Sequence, residues 1–162
     1  MSVGDITYLD NSVIQGVGAL TFNVAANTTA INAGEPVTCP LGAVQAAIPM
    51  ATNQPVVGTT YVAGIAATSC PNNATLTSTV TCYPVDEKAV LLIAPNVAAT
   101  WNTQAKYDLL VGSRVLMDLT SGVYTILATD GSTSGCVVRP LNISLYPGKV
   151  AFSFRAASSY VA

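Results

Sequence analysis

Cysteine is the residue type through which this chain could most readily do nucleophilic or metal chemistry, because the chain contains no histidine. Its four cysteines are Cys39, Cys70, Cys82 and Cys136, and no two have the Cys-x-x-Cys spacing of a zinc ribbon. A catalytic thiol normally needs a base partner, and histidine cannot provide it here. We therefore expect four reduced, buried thiols that pack as small hydrophobic side chains, with two disulfides as the alternative.

The other chemically active patterns are weaker. Asp86 and Glu87 are adjacent, and neighbouring side chains of a strand point to opposite faces, so the two carboxyl groups cannot converge on one bond as in glycosidases. A solvated turn explains them better. The chain has neither the Gly-x-Ser-x-Gly elbow nor a glycine-rich phosphate loop. The sequence therefore predicts no enzyme activity, no metal and no cofactor.

Composition points to assembly. Only 9% of the residues are charged, against roughly a quarter in an ordinary domain, while 51% are hydrophobic and the net charge is -2. The basic residues are scattered, which argues against a nucleic-acid partner. The chain has no uninterrupted apolar window of about 18 residues, so we expect no membrane-spanning helix. The first residues lack the basic start of a secretory signal. A chain so poor in charge is expected to hide surface in an oligomer or a larger assembly.

The elements that must position any site are predicted to be strands. Alternation over residues 20–25 places Leu20, Phe22 and Val24 on one face. Further strands are expected at 76–83, 89–94, 107–119, 123–128, 135–139 and 149–155. Tight turns between several of them predict a β-meander. We expect an all-β fold, a small β-barrel or β-sandwich with an extended N-terminal arm.

The predicted core follows from the same alternation. In the 107–119 strand, one face carries Leu109, Val111 and Val115. The expected core residues are Leu109, Val111, Val115, Ile126, Val90, Leu92 and Ile65. Helical candidates are short: residues 43–47, and a turn or 3₁₀ segment within 96–106 that holds Trp101.

The first 30 residues differ from the rest, because they contain only two charges and neither proline nor cysteine. We divide the chain into an N-terminal arm, 1–30, and a β-barrel domain, 31–162. The arm is predicted to gain order by contacting a partner or a neighbouring subunit through its apolar side chains, Val13, Ile14, Val17, Leu20 and Phe22. The alternative is an ordinary first β-hairpin of the same domain.

The last predicted strand places Val150, Phe152 and Phe154 on one face. We expect Phe152 and Phe154 to form part of a subunit contact, most simply in a homotrimer, since little charge opposes self-packing. The alternative is that this face closes the core of the monomer.

Three stretches resemble a known family. Residues 33–37 (Ala-Gly-Glu-Pro-Val), 61–68 (Tyr-Val-Ala-Gly-Ile-Ala-Ala-Thr) and 79–85 (Thr-Val-Thr-Cys-Tyr-Pro-Val) are similar to the small β-rich decoration or cement proteins of tailed-bacteriophage heads. The likeness covers roughly residues 31–140. It implies a non-catalytic virion protein, made in the host cytoplasm, which binds the major capsid protein on the capsid exterior as a homotrimer or other small oligomer. The family binds through surfaces, so no set of functional residues is implied.

Two alternatives remain at this stage. One is another virion component, such as a head fibre, minor capsid or tail protein. The other is a carbohydrate-binding β-sandwich or adhesin, in which Trp101, Tyr107, Tyr83 and Tyr124 would offer stacking faces. Trp101 could equally anchor a core or an interface.

Overall fold

The structure is a computed structural model that describes residues 7–8, 19–26, 30–41, 46–71, 78–85, 87–129 and 131–158. These residues form two antiparallel sheets, one short α-helix and two 3₁₀ turns, which confirms the all-β prediction. The strands are β1 Thr7–Tyr8, β2 Leu20–Asn23, β3 Pro36–Pro40, β4 Ile48–Pro49, β5 Thr60–Ala66, β6 Thr79–Tyr83, β7 Leu91–Ile93, β8 Arg114–Thr120, β9 Val123–Leu127, β10 Cys136–Val138 and β11 Val150–Phe154. The helical elements are η1 Ala98–Thr100, α1 Gln104–Leu110 and η2 Ala156–Ser158.

The six-stranded sheet, in the order β1-β7-β11-β10-β8-β9, curls back on itself. Its last strand meets the chain that follows β7: the Ile126 N–H donates to the Ala94 carbonyl (3.0 Å), and the Asn96 N–H donates to the Ile126 carbonyl (2.9 Å). These two bonds flank a parallel bridge between Pro95 and Ile126, and they join the end strand β9 to the chain that continues from β7, next to the other end of the sheet. The result is a small barrel-like sheet with little unpaired edge at this position.

The five-stranded sheet has the order β2-β6-β5-β3-β4. Its central strand β5 contains a bulge, because the register against β3 shifts between Val37 and Thr38. Gly64 has φ +145°, and a Cβ at this position would overlap the carbonyl of Tyr83. The bulge reverses the alternation of side chains partway along β5, so that Val62 and Ile65 lie on one face and Ala63 and Ala66 on the other.

Two hydrophobic cores result. The first core lies around the curled sheet and takes Val62 and Ile65 from β5. The second core covers the other face of the five-stranded sheet and takes Ala63 and Ala66 from β5. Its remaining members are Phe22, Val24, Ile31, Val37, Cys39, Ala47, Cys70, Val80 and Cys82.

Residues 50–57 connect the two sheets. The Tyr124 hydroxyl donates to the Met50 carbonyl (2.8 Å), and the Met117 N–H donates to the Gln54 carbonyl (2.8 Å). Gly135 N–H donates to the Pro55 carbonyl at the same distance, 2.8 Å. The sheets are therefore tied by backbone hydrogen bonds as well as by the first core.

The predicted core is largely confirmed. Val115, Ile126, Leu92 and Ile65 are buried in the first core, and Val90 and Val111 are half-buried against it. Leu109 is the exception: 84% of its side chain is exposed, so its assignment to the core was wrong.

Leu109 was assigned to the core because the strand period of two was applied to residues that form a helix. Residues 107–119 were predicted as one strand, but they contain the end of α1, a turn at Gly112 (φ +86°) and then β8. Thr103 caps α1, its hydroxyl accepting from the Lys106 N–H (3.3 Å). In a helix, Tyr107 and Leu110 are neighbours at i and i+3, so they face the core while Leu109 points outward.

The described parts of the first 30 residues pair with both sheets. Thr7–Tyr8 pairs with β7, and Leu20–Asn23 pairs with β6. Phe22 and Val24 are buried in the second core. These parts thus behave as strands of the domain, which is the alternative to a free arm. Residues 43–45 of the first helical candidate lie outside the described residues, while the 3₁₀ turn expected within 96–106 is present as η1.

Candidate interaction surface

The four cysteine thiols are enclosed within the fold. All four cysteines are free and buried, as predicted. Burial, with a smaller contribution from nearby Cys39, raises the pKa of Cys82 from 9.0 to about 12, and burial also raises the pKa of Cys136. Both groups are therefore protonated at neutral pH and enclosed by apolar side chains, a state unsuited to nucleophilic attack or metal binding.

Only one member of the acidic pair lies within the described residues. Asp86 lies outside the described residues, and Glu87 is exposed in the turn before β7. Among the described residues, no three histidine, cysteine, aspartate or glutamate side chains come together as metal ligands would. None of the described helices is long and apolar enough to cross a membrane.

The aromatic residues considered for carbohydrate stacking are mostly internal. Trp101, Tyr107 and Tyr124 are buried in the first core, whereas Tyr83 is 45% exposed. Trp101 and Tyr107 contact each other edge to face, with ring centroids 5.7 Å apart. A sugar needs an exposed ring face, so this set does not form a stacking platform and Trp101 is a core anchor.

The residues predicted to contact a capsid or subunit are placed unevenly. Val13, Ile14 and Val17 lie outside the described residues. Leu20 is half-buried against the second core and Phe22 is buried within it.

Phe152 and Phe154 are fully buried in the first core and pack edge to face, with centroids 5.4 Å apart. Their burial supports the alternative, that this face closes the monomer, and corrects the expectation that these two rings meet a neighbour. Residues 150–154 are buried on both faces of the strand, so alternation alone could not separate core from interface.

Four of the seven large apolar side chains that are exposed among the described residues lie on one ordered surface, which we call the cap surface: residues 97–100, α1 and the 139–149 loop. Gln104 of α1 holds the loop, because its side-chain amide donates to the Leu141 carbonyl (2.9 Å) and accepts from the Ile143 N–H (3.1 Å). Asn142 closes a turn by accepting from the Leu145 N–H at its carbonyl (3.1 Å). The loop thus has a defined conformation although it connects two strands.

Tyr107 anchors the cap surface to the barrel. Its hydroxyl donates to the Arg139 carbonyl (2.9 Å) and accepts from the Ala151 N–H (2.9 Å). Burial raises the pKa of Tyr107 to about 12, so the hydroxyl keeps the proton it donates. One buried side chain therefore joins α1, the start of the 139–149 loop and β11.

Large apolar side chains project from this surface. Leu109 is 84% exposed, Leu145 71% and Val97 57%, and the ring of Tyr146 is also exposed. Exposed apolar groups on adjoining, hydrogen-bonded elements are typical of protein contact sites. Sequence reasoning missed this surface; the signal was Leu145-Tyr146 immediately before the Pro147-Gly148 turn, where polar residues are usual.

Between η1 and the loop lies a partly enclosed pocket of about 240 Å³, which we call the Trp101 pocket. Its apolar wall is formed by Pro95, Ala98, Trp101, Ile143 and Pro147. Asn102, Gly148 and Lys149 complete the lining. A shallower groove, lined by Gln104, Asp108 and Ser144 among others, runs between α1 and the same loop.

Comparison with known proteins identifies no relative: no family model, no curated protein and no solved structure matches this chain.

Proposed function

We propose that this chain is a non-catalytic virion structural protein, which decorates the outer surface of a phage head by binding the major capsid protein. The observation that carries the proposal is the cap surface, where Leu109, Leu145 and Val97 expose apolar side chains from hydrogen-bonded elements. A rigid apolar surface binds a protein partner at a low entropic cost. The resemblance of residues 31–140 to head decoration proteins supplies the class of partner.

The proposal also includes a homotrimer, with a contact different from the one first expected. Because Phe152 and Phe154 are enclosed in the first core, subunits would have to meet through exposed groups or strand edges. The mass of the purified chain by light scattering tests this part. A trimer mass at micromolar concentration is expected, and a monomer mass would overturn the trimer.

The decoration role is tested on particles. Virus particles are purified from cells in which the chain is made, and the intact particles are probed with an antibody against the chain. We expect the chain in the purified particles and antibody binding without disruption of the head. Its absence from purified particles would overturn the proposal.

The role of the cap surface is tested by rebinding to particles from which the chain has been stripped. Leu145→Asp should weaken rebinding about tenfold or more, since a central apolar contact typically contributes over 1 kcal/mol. Leu41→Asp is the matched control, because Leu41 is 52% exposed but follows β3 in the other sheet. Equal effects of the two variants would contradict the assignment of the contact to the cap surface.

A further inference from the structure

The polar groups of the residues that line the Trp101 pocket include several hydrogen-bond donors without a partner among the described residues. The indole Nε1–H of Trp101 is buried and has no hydrogen-bond partner. Buried N–H groups are nearly always paired, and one left unpaired costs free energy. Trp101, which carries this unpaired donor, is one of the residues that line the pocket. A bound group with an oxygen acceptor is one means of satisfying it.

The two polar side chains at the pocket are donors as well. The side-chain oxygen of Asn102 already accepts from the Lys106 ammonium (3.1 Å), which leaves the Asn102 amide nitrogen as its donor. Within the described residues, the Lys149 ammonium has no ion-pair or hydrogen-bond partner. No acidic residue lines the pocket. Two of the chain's three lysines, Lys106 and Lys149, are therefore at or next to it, and the charge there is positive although the chain as a whole is negative.

The size of the pocket limits what it can hold. Small-molecule sites usually exceed about 300 Å³, whereas an apolar cavity of about 150 Å³ accepts benzene. A volume of about 240 Å³ thus fits one large apolar side chain. Val97 and Tyr146 are next to lining residues in sequence and expose apolar atoms that would exclude water around such a side chain.

We propose that the Trp101 pocket receives a large apolar side chain that stands beside a carboxylate in the partner protein. The apolar wall binds the side chain, and the donors of Lys149, Asn102 and Trp101 bind the carboxylate. This inference rests on the proposed function for the existence of a protein partner. The chemistry of the pocket defines the partner's contact as apolar and acidic.

The pocket is tested with a minimal probe that needs no partner. Trp101 is the only tryptophan, so its indole N–H gives a single, already assigned peak in a two-dimensional NMR spectrum of the isotope-labelled protein. N-acetyl-L-leucine, which joins an isobutyl group to a carboxylate, should shift this peak with a Kd on the order of 1–10 mM. N-acetyl-L-leucinamide, which lacks the charge, should bind about tenfold more weakly.

Lys149→Gln should remove the preference for the acid over the amide, while the matched control Lys88→Gln should leave it unchanged. If the indole peak does not shift at about 20 mM probe, even millimolar affinity is absent. This result would overturn the proposal that the pocket binds an apolar side chain. Equal binding of acid and amide, or equal effects of the two lysine variants, would overturn the carboxylate specificity. A chain that binds the probe but is absent from virus particles would refute the proposed function alone. A chain present on particles that fails to bind the probe would refute this inference alone.

Discussion

The first and second cores enclose similar strands with different side chains. The first core contains five aromatic residues: Trp101, Tyr107, Tyr124, Phe152 and Phe154. The second contains one, Phe22, and more than half of its members are alanine or cysteine. Large rings bury more area and their loss leaves larger cavities, so the first core contributes more stability per residue. Small side chains let the covering chain approach the sheet closely.

Strand β5 belongs to both cores, and its bulge decides which of its residues face each core. Val62 and Ile65 face the first core, whereas Ala63 and Ala66 face the second. Without the bulge, alternation would have put residues 62, 64 and 66 on one face. The comparison therefore teaches that one irregular residue in a central strand changes which side chains a sheet presents to the core on each of its faces.

The largest expected difference between the cores concerns phenylalanine. Phe152→Ala should lower the free energy of unfolding by about 3–5 kcal/mol, because it empties a fully buried site on an internal strand. Phe22→Ala should cost less, since β2 is an edge strand of its sheet. Urea unfolding of both variants measures the difference. A smaller loss for Phe152→Ala than for Phe22→Ala would contradict the ranking of the two cores.

The bulge gives the next largest effect. Gly64→Ala should destabilise the fold by about 1–3 kcal/mol, because the added methyl group would overlap the Tyr83 carbonyl and φ is +145°. Gly58→Ala separates the two causes: φ is +90° there, but nothing lies within 4 Å of the added atom. We expect a smaller loss for Gly58→Ala in thermal unfolding. Equal losses would mean that backbone strain, and not the close approach of β6, decides the effect.

Alkaline pH should weaken the second core through Cys82. The folded state keeps the thiol protonated up to about pH 12, while the unfolded chain ionises near the ordinary pKa of 9.0. The stabilisation is therefore present below pH 9 and is lost as the pH rises from 9 towards 12, by about 1.4 kcal/mol per pH unit. Urea midpoints at pH 7 and pH 10 measure it.

Cys82→Ala is the control for this pH dependence. It removes the titrating thiol, so the fall in stability between pH 7 and 10 should become shallower. An unchanged slope would assign the alkaline loss to other groups, such as Tyr107, whose pKa is also raised to about 12.

The smallest effect is expected outside both cores. Leu109→Ser should change the unfolding free energy by no more than about 0.5 kcal/mol, because the side chain is 84% exposed. Tyr107, two residues earlier in the same helix, is fully buried, and Tyr107→Ala should cost several kcal/mol by comparison. A large loss for Leu109→Ser would restore the original assignment of residues 107–119 to one strand.

Much of the fold was open to prediction because strands carry a local signal. Period-two alternation located β2, β6, β9 and β11 to within a few residues, and it located the second half of the 107–119 segment as β8. The continuous apolar run at 89–94 located β7, which is buried in the first core. The cap surface was not predicted, because the sequence alone does not distinguish a leucine that will be exposed from one that will be buried.

The sequence by itself determined that this chain is built from β-strands, that it contains no histidine and that few of its residues are charged. Alternating apolar residues, frequent turns and the lack of histidine are properties of composition and local order. The tertiary structure decided which apolar residues are free to meet a partner. Phe152 and Leu109 looked equally apolar, but strand pairing enclosed the first, and the helical period turned the second outward. Burial depends on contacts between residues far apart in the chain, and local patterns do not encode them.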